Sequence, residues 1–495
     1  MNHNRRDFVK FVVAGSIAAG CPVDLALLAA PPQPEVDGEH NKICHEVRDG
    51  HAFPRPPAPK TYDVVVVGGG VSGLTAAYLA QERDFLILEK EPHWGGNAYL
   101  EAYDGQAFAT GAAFTENREG PAIGLATELG LPMLPVNDPD PTMLHGELIA
   151  DTWRAGLDHL PYPASVRESF KKFRRDILAL PMHARAQEYD AEPFSKYCAG
   201  YAPEVKLWWD TYGPSNWGAR TQETSALLGI AELQAIGGDQ ADDRVTWPGG
   251  LGAITKRLSE KLLASHAERM IAGATTVAVE QEKHQVRVTY VDPQGQVKAV
   301  AAKAVIMATP KFITRRIVAG LPAAQDAAMK KMRYIPYPVV NVIFKQIVYD
   351  KGYDTWCPGN TFTDFIVADW TVRNEKDYHR KHNILTFYTP LTEAERPKLL
   401  TEEGTRDVAA SVLLDFQKLF AGSNVDPVEV HVYRRGHPLY MSTPGNFTRV
   451  QPLTRRPYGR VFVANTDSEG PVSTTSQGIA AAHRAVREMK SREKA

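Results

Sequence analysis

An α/β protein built on a buried parallel sheet is what this sequence predicts, and three observations carry that reading. Asp63-Val64-Val65-Val66-Val67 is a short β-branched apolar run, the pattern of a strand covered on both faces. It passes directly into Gly68-Gly69-Gly70-Val71-Ser72-Gly73 and then an Ala- and Leu-rich helical stretch over 74–81. A second apolar run, Phe85-Leu86-Ile87-Leu88, ends on Glu89. Strand, glycine turn, helix, strand and acid make a right-handed βαβ unit of Rossmann type.

Each part of the unit has a physical task. Gly68 permits the tight turn, Gly70 lets the backbone approach a pyrophosphate, and Gly73 lets the helix pack close to the sheet. The helix start, with Ser72 in its first turn, then offers unpaired N–H groups and a partial positive charge to phosphates. Glu89 stands where it accepts hydrogen bonds from a ribose diol. The unit therefore predicts a bound dinucleotide.

Length and composition bound the remainder. The chain has 495 residues, 56 Lys+Arg against 58 Asp+Glu and a formal charge of −2, with 43% hydrophobic and 23% charged residues. These values suit a soluble globular protein of two to four domains. They argue against a disordered scaffold, a collagen-like fibre or a multi-span membrane protein. The charge balance weighs against a nucleic-acid partner, whose phosphates call for a concentrated excess of Lys and Arg.

Residues 1–30 read as an address. Asn4-Arg5-Arg6-Asp7-Phe8-Val9-Lys10 precedes an apolar run from Phe11 to Cys21, the pattern of a twin-arginine export signal. That run is too short to span a hydrocarbon core of roughly 30 Å. The expectation is delivery to the periplasm by the twin-arginine machinery. Ala29 and Ala30 offer small residues for cleavage, and a lipid anchor at Cys21 is the alternative. Cys21, Cys44, Cys198 and Cys357 form no C-x-x-C or zinc spacing and no disulfide framework, and no metal site is expected. H-E-x-x-H, G-x-S-x-G and Walker motifs are lacking. Residues 31–60, rich in Pro and polar groups, read as an extended linker or arm.

After Glu89 and Lys90 comes Trp94-Gly95-Gly96-Asn97, a glycine pair placed to bring a second backbone segment to the cofactor. Here the chain resembles the flavin-containing amine oxidase superfamily, whose members bind FAD with such a doublet. Trp247-Pro248-Gly249-Gly250-Leu251-Gly252, the strand opening at Thr276-Val277-Ala278-Val279, the strand Val286–Val291 with its Asp292-Pro293-Gln294-Gly295 turn, and the returning Ala304–Pro310 resemble it in order. So does Val461–Asp467, a strand meeting a Ser/Thr-rich turn and a helix from about Ser476 to Met489. Cys44–Gly50, Ala464–Asp467 and Ala481–Val486 look closest to bacterial spermidine dehydrogenase-like enzymes.

The resemblance implies an FAD domain of glutathione reductase/amine oxidase type assembled from 61–112, 245–320 and 455–490. The α+β substrate domain would be interleaved, over 113–244 and 321–454. It implies cofactor contacts from Gly68, Gly70, Ser72, Gly73, Glu89, Lys90, Gly95, Gly96, Asn97, Val277, Asp467, Ser473 and Thr474, with noncovalent FAD. In the first substrate stretch, Val166, Phe170, Phe173, Ile177 and Leu180 recur at helical spacing. Between them a basic face of Arg167, Lys171, Lys172, Arg174 and Arg175 offers docking to a membrane or an acidic partner.

The implied reaction is oxidation of a C–H bond beside an amine nitrogen by hydride transfer to flavin, followed by hydrolysis of the imine. Two aromatic side chains commonly flank the amine in this superfamily. Candidates are Tyr440, with His437 beside it, and Trp356, Trp370 or Tyr388. Many members carry a lysine on a substrate-domain strand that assists reoxidation by oxygen; alignment puts Asn341 there. A dehydrogenase that passes electrons to a periplasmic cytochrome or quinone is the expectation. Asn97 replaces the family's usual arginine after the doublet, which removes a charge near the cofactor phosphates. Spermidine dehydrogenases are associated with haem as well, so His45 or His51 is a candidate haem ligand. Two alternatives stay open: a flavin desaturase acting on C–C bonds of an apolar substrate, and a non-catalytic exported FAD-binding protein. A carboxylate anchor in the pocket favours the amine, and an all-apolar tunnel favours the desaturase.

Overall fold

The computed structural model describes residues 32–239, 241–420 and 426–493. The expected export signal lies outside these residues. Nineteen strands run along the described chain: β1 (Glu35–Gly38), β2 (Thr61–Val67), β3 (Phe85–Leu88), β4 (Leu100–Tyr103), β5 (Gln106–Ala109), β6 (Thr142–Leu144), β7 (Glu147–Ile149), β8 (Met270–Ile271), β9 (Thr275–Gln281) and β10 (Val286–Val291). They continue with β11 (Val297–Met307), β12 (Tyr334–Ile335), β13 (Val339–Phe344), β14 (Asp354–Trp356), β15 (Asp364–Val367), β16 (Asn383–Tyr388), β17 (Pro427–Arg434), β18 (Leu439–Tyr440) and β19 (Val461–Val463).

Two large sheets organise the molecule. The first runs β8-β3-β2-β11-β10-β9, with β19 also on β11. Its β8, β3, β2, β11 and β19 pair in parallel, and β9-β10-β11 is an antiparallel meander. The apolar run of β2 is explained by burial on both faces. Val64 and Val66 pack with Leu74, Ala481 and Ala485 of two helices, whereas Val65 and Val67 pack beneath Val279, Val286 and Val288 of the meander. The helices are Val71–Leu79 and Thr475–Glu493. A Cβ at Gly73 would overlap the Gly68 carbonyl oxygen, so the first helix meets its strand at a distance only glycine allows.

The second sheet runs β1-β17-β13-β16-β15-β14-β6-β7. Against it stands a helical layer whose core is aromatic: Trp153, Phe170, Phe173, Phe194, Trp208, Trp209 and Trp217 pack together and reach Trp356 of β14. The helix expected from Val166 to Leu180 spans Ala164–Leu178 and buries Phe170, Phe173 and Ile177. The side chains of its basic face are engaged, the two lysines by carboxylates. Lys171 pairs with Asp158 and Glu168, Lys172 with Asp176, and Arg167 and Arg174 donate to the carbonyls of Tyr162 and Gly237.

The arm departs from the expectation of an extended linker. β1 joins the second sheet in parallel with β17, and Lys42–Arg48 forms a helix. Proline density hid both, because each is held by distant partners: the Gly436 N–H donates to Glu39, and His40 donates its backbone N–H to Glu91 (3.0 Å). Among the described residues, no helix is long and apolar enough to cross a membrane.

Candidate active site

One cavity of about 1420 Å³ runs between the two sheets. Its cofactor half is made mostly of backbone. Gly68, Gly70, Val71 and Ser72 line it where the first helix begins, and Ser473, Thr474, Thr475 and Ser476 line it where the last helix begins. Two helix N-termini therefore point their unpaired N–H groups into the same space. Thr474 Oγ1 accepts from Gln477 N (3.2 Å) and Ser473 Oγ donates to Thr466 Oγ1 (2.8 Å), which fixes the second turn.

FAD fits this half on two observations. A Cβ at Gly70 would meet nothing nearer than Gly96 Cα at 3.8 Å, so the protein leaves that space open, and the glycine serves a ligand. Glu89 lines the cavity with its carboxylate anchored by Gly69 N (2.5 Å) and Glu91 N (2.8 Å), leaving lone pairs for a diol. Burial pushes its pKa up, and Lys90 opposes that shift. Lys90 also lines the cavity but is engaged by Glu91.

The expected cofactor residues divide accordingly. Gly68, Gly70, Ser72, Glu89, Lys90, Gly95, Gly96, Asn97, Ser473 and Thr474 all line the cavity. Gly73 does not, in keeping with its packing role. Val277 is a correction: it is buried on β9 and does not line the cavity, and Ala274, Thr275 and Thr276 line it instead. Asp467 is a second correction. It is 1% exposed and lies outside the wall. It forms an ion pair with Lys311, accepts from Lys311 N (3.0 Å) and accepts from the Tyr334 hydroxyl (2.6 Å). That buried cluster clamps the turn after β19, away from the cavity wall.

At the other half, side chains replace backbone. Tyr440, His437, Trp356 and Tyr388 line the cavity, as expected of aromatic walls. Tyr440 donates to the Gly470 carbonyl (3.1 Å), and Tyr388 to that of Gly111 (2.8 Å). Trp356 leans on Tyr212, ring centroids 4.4 Å apart. His437 packs tilted against Phe312, ring centroids 4.6 Å apart, and burial beside Arg396 pushes its pKa down to about 4, so the ring is neutral near pH 7. Trp370 is removed from the candidates, since it lies off the wall and donates to Val136 O (3.1 Å).

Asn341 is the third correction. It is fully buried on β13, opposite Thr386 of β16, whose hydroxyl donates to Asn341 Oδ1 (2.6 Å). It does not line the cavity, its side chain being tied to the neighbouring strand; Val339 is the β13 residue that reaches the wall. Neither candidate haem ligand gains support. His51 is exposed and edge-on to Phe53, and only His45 borders the cavity.

Reasoning from sequence missed the acids. Glu116, Glu232, Asp354 and Asp364 line the substrate half, and no Lys or Arg stands among the wall residues contributed there by 113–121, 215–235 and 337–388. Tyr212 donates to Glu232 (2.5 Å) and Thr363 to Asp364 (2.5 Å), while Asp354 Oδ1 is buried without a hydrogen-bond partner. Behind them Arg244 is consumed by Asp140 and Asp242. Burial and mutual repulsion push Glu116 and Asp364 up to about 7 and Glu232 up to about 8. These carboxylates come from three separated stretches with no shared motif, so no local signal announces them.

Residues 71–490 match the family model of flavin-containing amine oxidoreductases. The chain belongs to that family. It is 25% identical to the flavin-containing amine oxidase B of Cavia porcellus over 86% of each chain. Among solved structures it superposes on putrescine oxidase bound to putrescine with a TM-score of 0.67 (16% identity, 87% of this chain and 99% of that one). Cyclohexylamine oxidase from Brevibacterium oxydans gives 0.68 (17% identity, 88% and 100%). This chain is thus an FAD-dependent amine oxidoreductase, and bound FAD supplies the hydride acceptor. The chain's own residues would bind and orient it: backbone N–H groups at the two helix starts would hold the diphosphate, while aromatic side chains and carboxylates line the other half of the cavity.

Proposed function

We propose that the substrate is a diamine or polyamine, oxidised at the carbon beside one nitrogen while a second, charged nitrogen is held by the acidic wall. The observation that carries this reading is the set of Glu116, Glu232, Asp354 and Asp364 with no cation among their wall neighbours. A surplus of buried carboxylates is costly without a counter-charge. An ammonium supplies it. The reacting nitrogen must be neutral to release electron density, and Trp356, Tyr388 and Tyr440 provide the apolar surroundings that favour its neutral form. The acids speak against an apolar desaturase substrate.

Electron transfer to a periplasmic cytochrome or quinone, after twin-arginine export, completes the proposal. It is supported by Arg5-Arg6 with the following apolar run, and by the lack of a lysine on the substrate half of the cavity wall. Lys42 and Lys90 are the lysines that border the cavity among the described residues, and both belong to the cofactor half. Haem forms no part of this proposal. The test is an anaerobic absorbance titration of the purified protein with putrescine, spermidine and monoamines. Flavin bleaching by the polycations at far lower concentration is expected; equal bleaching by benzylamine sinks the substrate class. Fast aerobic turnover with stoichiometric peroxide and no added acceptor would rule out the dehydrogenase.

A further inference from the structure

Arg435 follows directly on β17 and lines the cavity, yet its side chain is almost fully buried. Its guanidinium donates from Nε and Nη2 to Thr110 O (3.2 and 3.0 Å) and from Nη2 to Thr110 Oγ1 (2.8 Å). From Nη1 it donates to Gly96 O and to Asn97 Oδ1 (3.2 Å each). Every acceptor is neutral. The acids that act on it, Glu39, Glu91 and Asp37, do so through the field alone, and none is bonded to it. A buried cation without a carboxylate partner costs several kcal/mol unless another anion repays it. The backbone it grips is the glycine doublet, and Gly95 bridges to Gly70, beside the open space above Gly70.

We propose that Arg435 is the counter-charge for the FAD diphosphate, delivered from the substrate layer to the glycine doublet. The proposal rests on the reading of the cavity as an FAD site. Its N–H groups are spent on neutral acceptors, so it acts through its field and by holding Gly96 in place; it is a positioning residue. The charge absent at Asn97 is thereby returned to the same spot from a position 338 residues further along the chain. Desolvation lowers its own pKa, as burial does for any cation.

The test is release of FAD from diluted holoprotein, followed by flavin fluorescence at low and high salt. Arg435→Met is expected to raise the dissociation constant about tenfold or more and to flatten its salt dependence. Arg435→Lys keeps the charge and loses less. Asn97→Arg placed in the Arg435→Met background is expected to recover most of the affinity, because it restores a cation beside Gly96. The midpoint potential of the remaining bound flavin stays at the wild-type value. Unchanged affinity in Arg435→Met, failure of the Asn97→Arg rescue in a folded protein, or a shifted potential with affinity intact overturns the assignment. A wild-type protein that binds no FAD instead removes the underlying reading, and is told apart by that control alone.

Discussion

The two halves of the cavity are built by opposite means. The cofactor half is a backbone surface: glycines at 68, 70, 95 and 96 and two helix starts, contributed by short contiguous motifs. The substrate half is a side-chain surface, in which Glu116, Glu232, Asp354 and Asp364 arrive from separate segments and meet only in the folded chain. Backbone N–H groups suit an invariant diphosphate, since their geometry does not depend on side-chain identity. Side chains suit a substrate that differs between relatives. The difference teaches that a cofactor is read from consecutive residues, and a substrate from a three-dimensional charge pattern.

The strongest way to break the comparison is to put a Cβ into the backbone half. Gly73→Val drives a side chain into the Gly68 carbonyl and is expected to cost about 3 kcal/mol or more, seen as insoluble or thermally collapsed protein. Gly70→Val has room to fold, so circular dichroism should be native while the purified protein is colourless. If both variants lose the fold equally, Gly70 serves packing and not a ligand.

Removing an acid tests the other half. Asp354→Asn or Glu232→Gln is expected to lower kcat/KM for diamines by about 10- to 100-fold while leaving monoamines within about twofold. Steady-state kinetics with matched mono- and diamines checks this; parallel losses remove the acids from recognition.

The pH dependence sharpens the same contrast. Glu116 and Asp364 near 7 and Glu232 near 8 stand above their ordinary values of 4.5, 3.8 and 4.5. A raised carboxylate stabilises the folded chain below its unfolded pKa, and that contribution is lost as pH rises through the folded value. Ligand-free protein should therefore lose thermal stability between about pH 5 and 8, and spermine or spermidine should restore it at the upper end. KM for polyamines should fall about tenfold over pH 6 to 8 as the acids ionise. A flat profile contradicts the acid site.

The smallest effect is expected at Asn341. Asn341→Val leaves Thr386 Oγ1 without its acceptor, for a loss of about 1–2 kcal/mol in stability, with kcat unchanged. A large fall in kcat would return Asn341 to the chemistry.

Lys90 and Asp467 mark where legibility ended. Both flank genuine motifs, yet Lys90 is engaged by Glu91 and Asp467 by Lys311 and Tyr334. A charged residue beside a motif signals burial with a partner as readily as a contact with cofactor, and only the partner's position decides. β1 was hidden for a related reason, because a strand of Glu35–Gly38 carries no apolar alternation and exists through pairing with β17.

By itself the sequence determined the βαβ unit, the glycine turn, the doublet and the final helix, because strand burial, glycine freedom and helix periodicity are properties of adjacent residues. Tertiary structure alone decided the acidic wall, the cation that Arg435 brings to Gly96, and the retreat of Asn341 into the sheet. Those depend on through-space charge and on which strand neighbours which, and neither quantity is written in residue order.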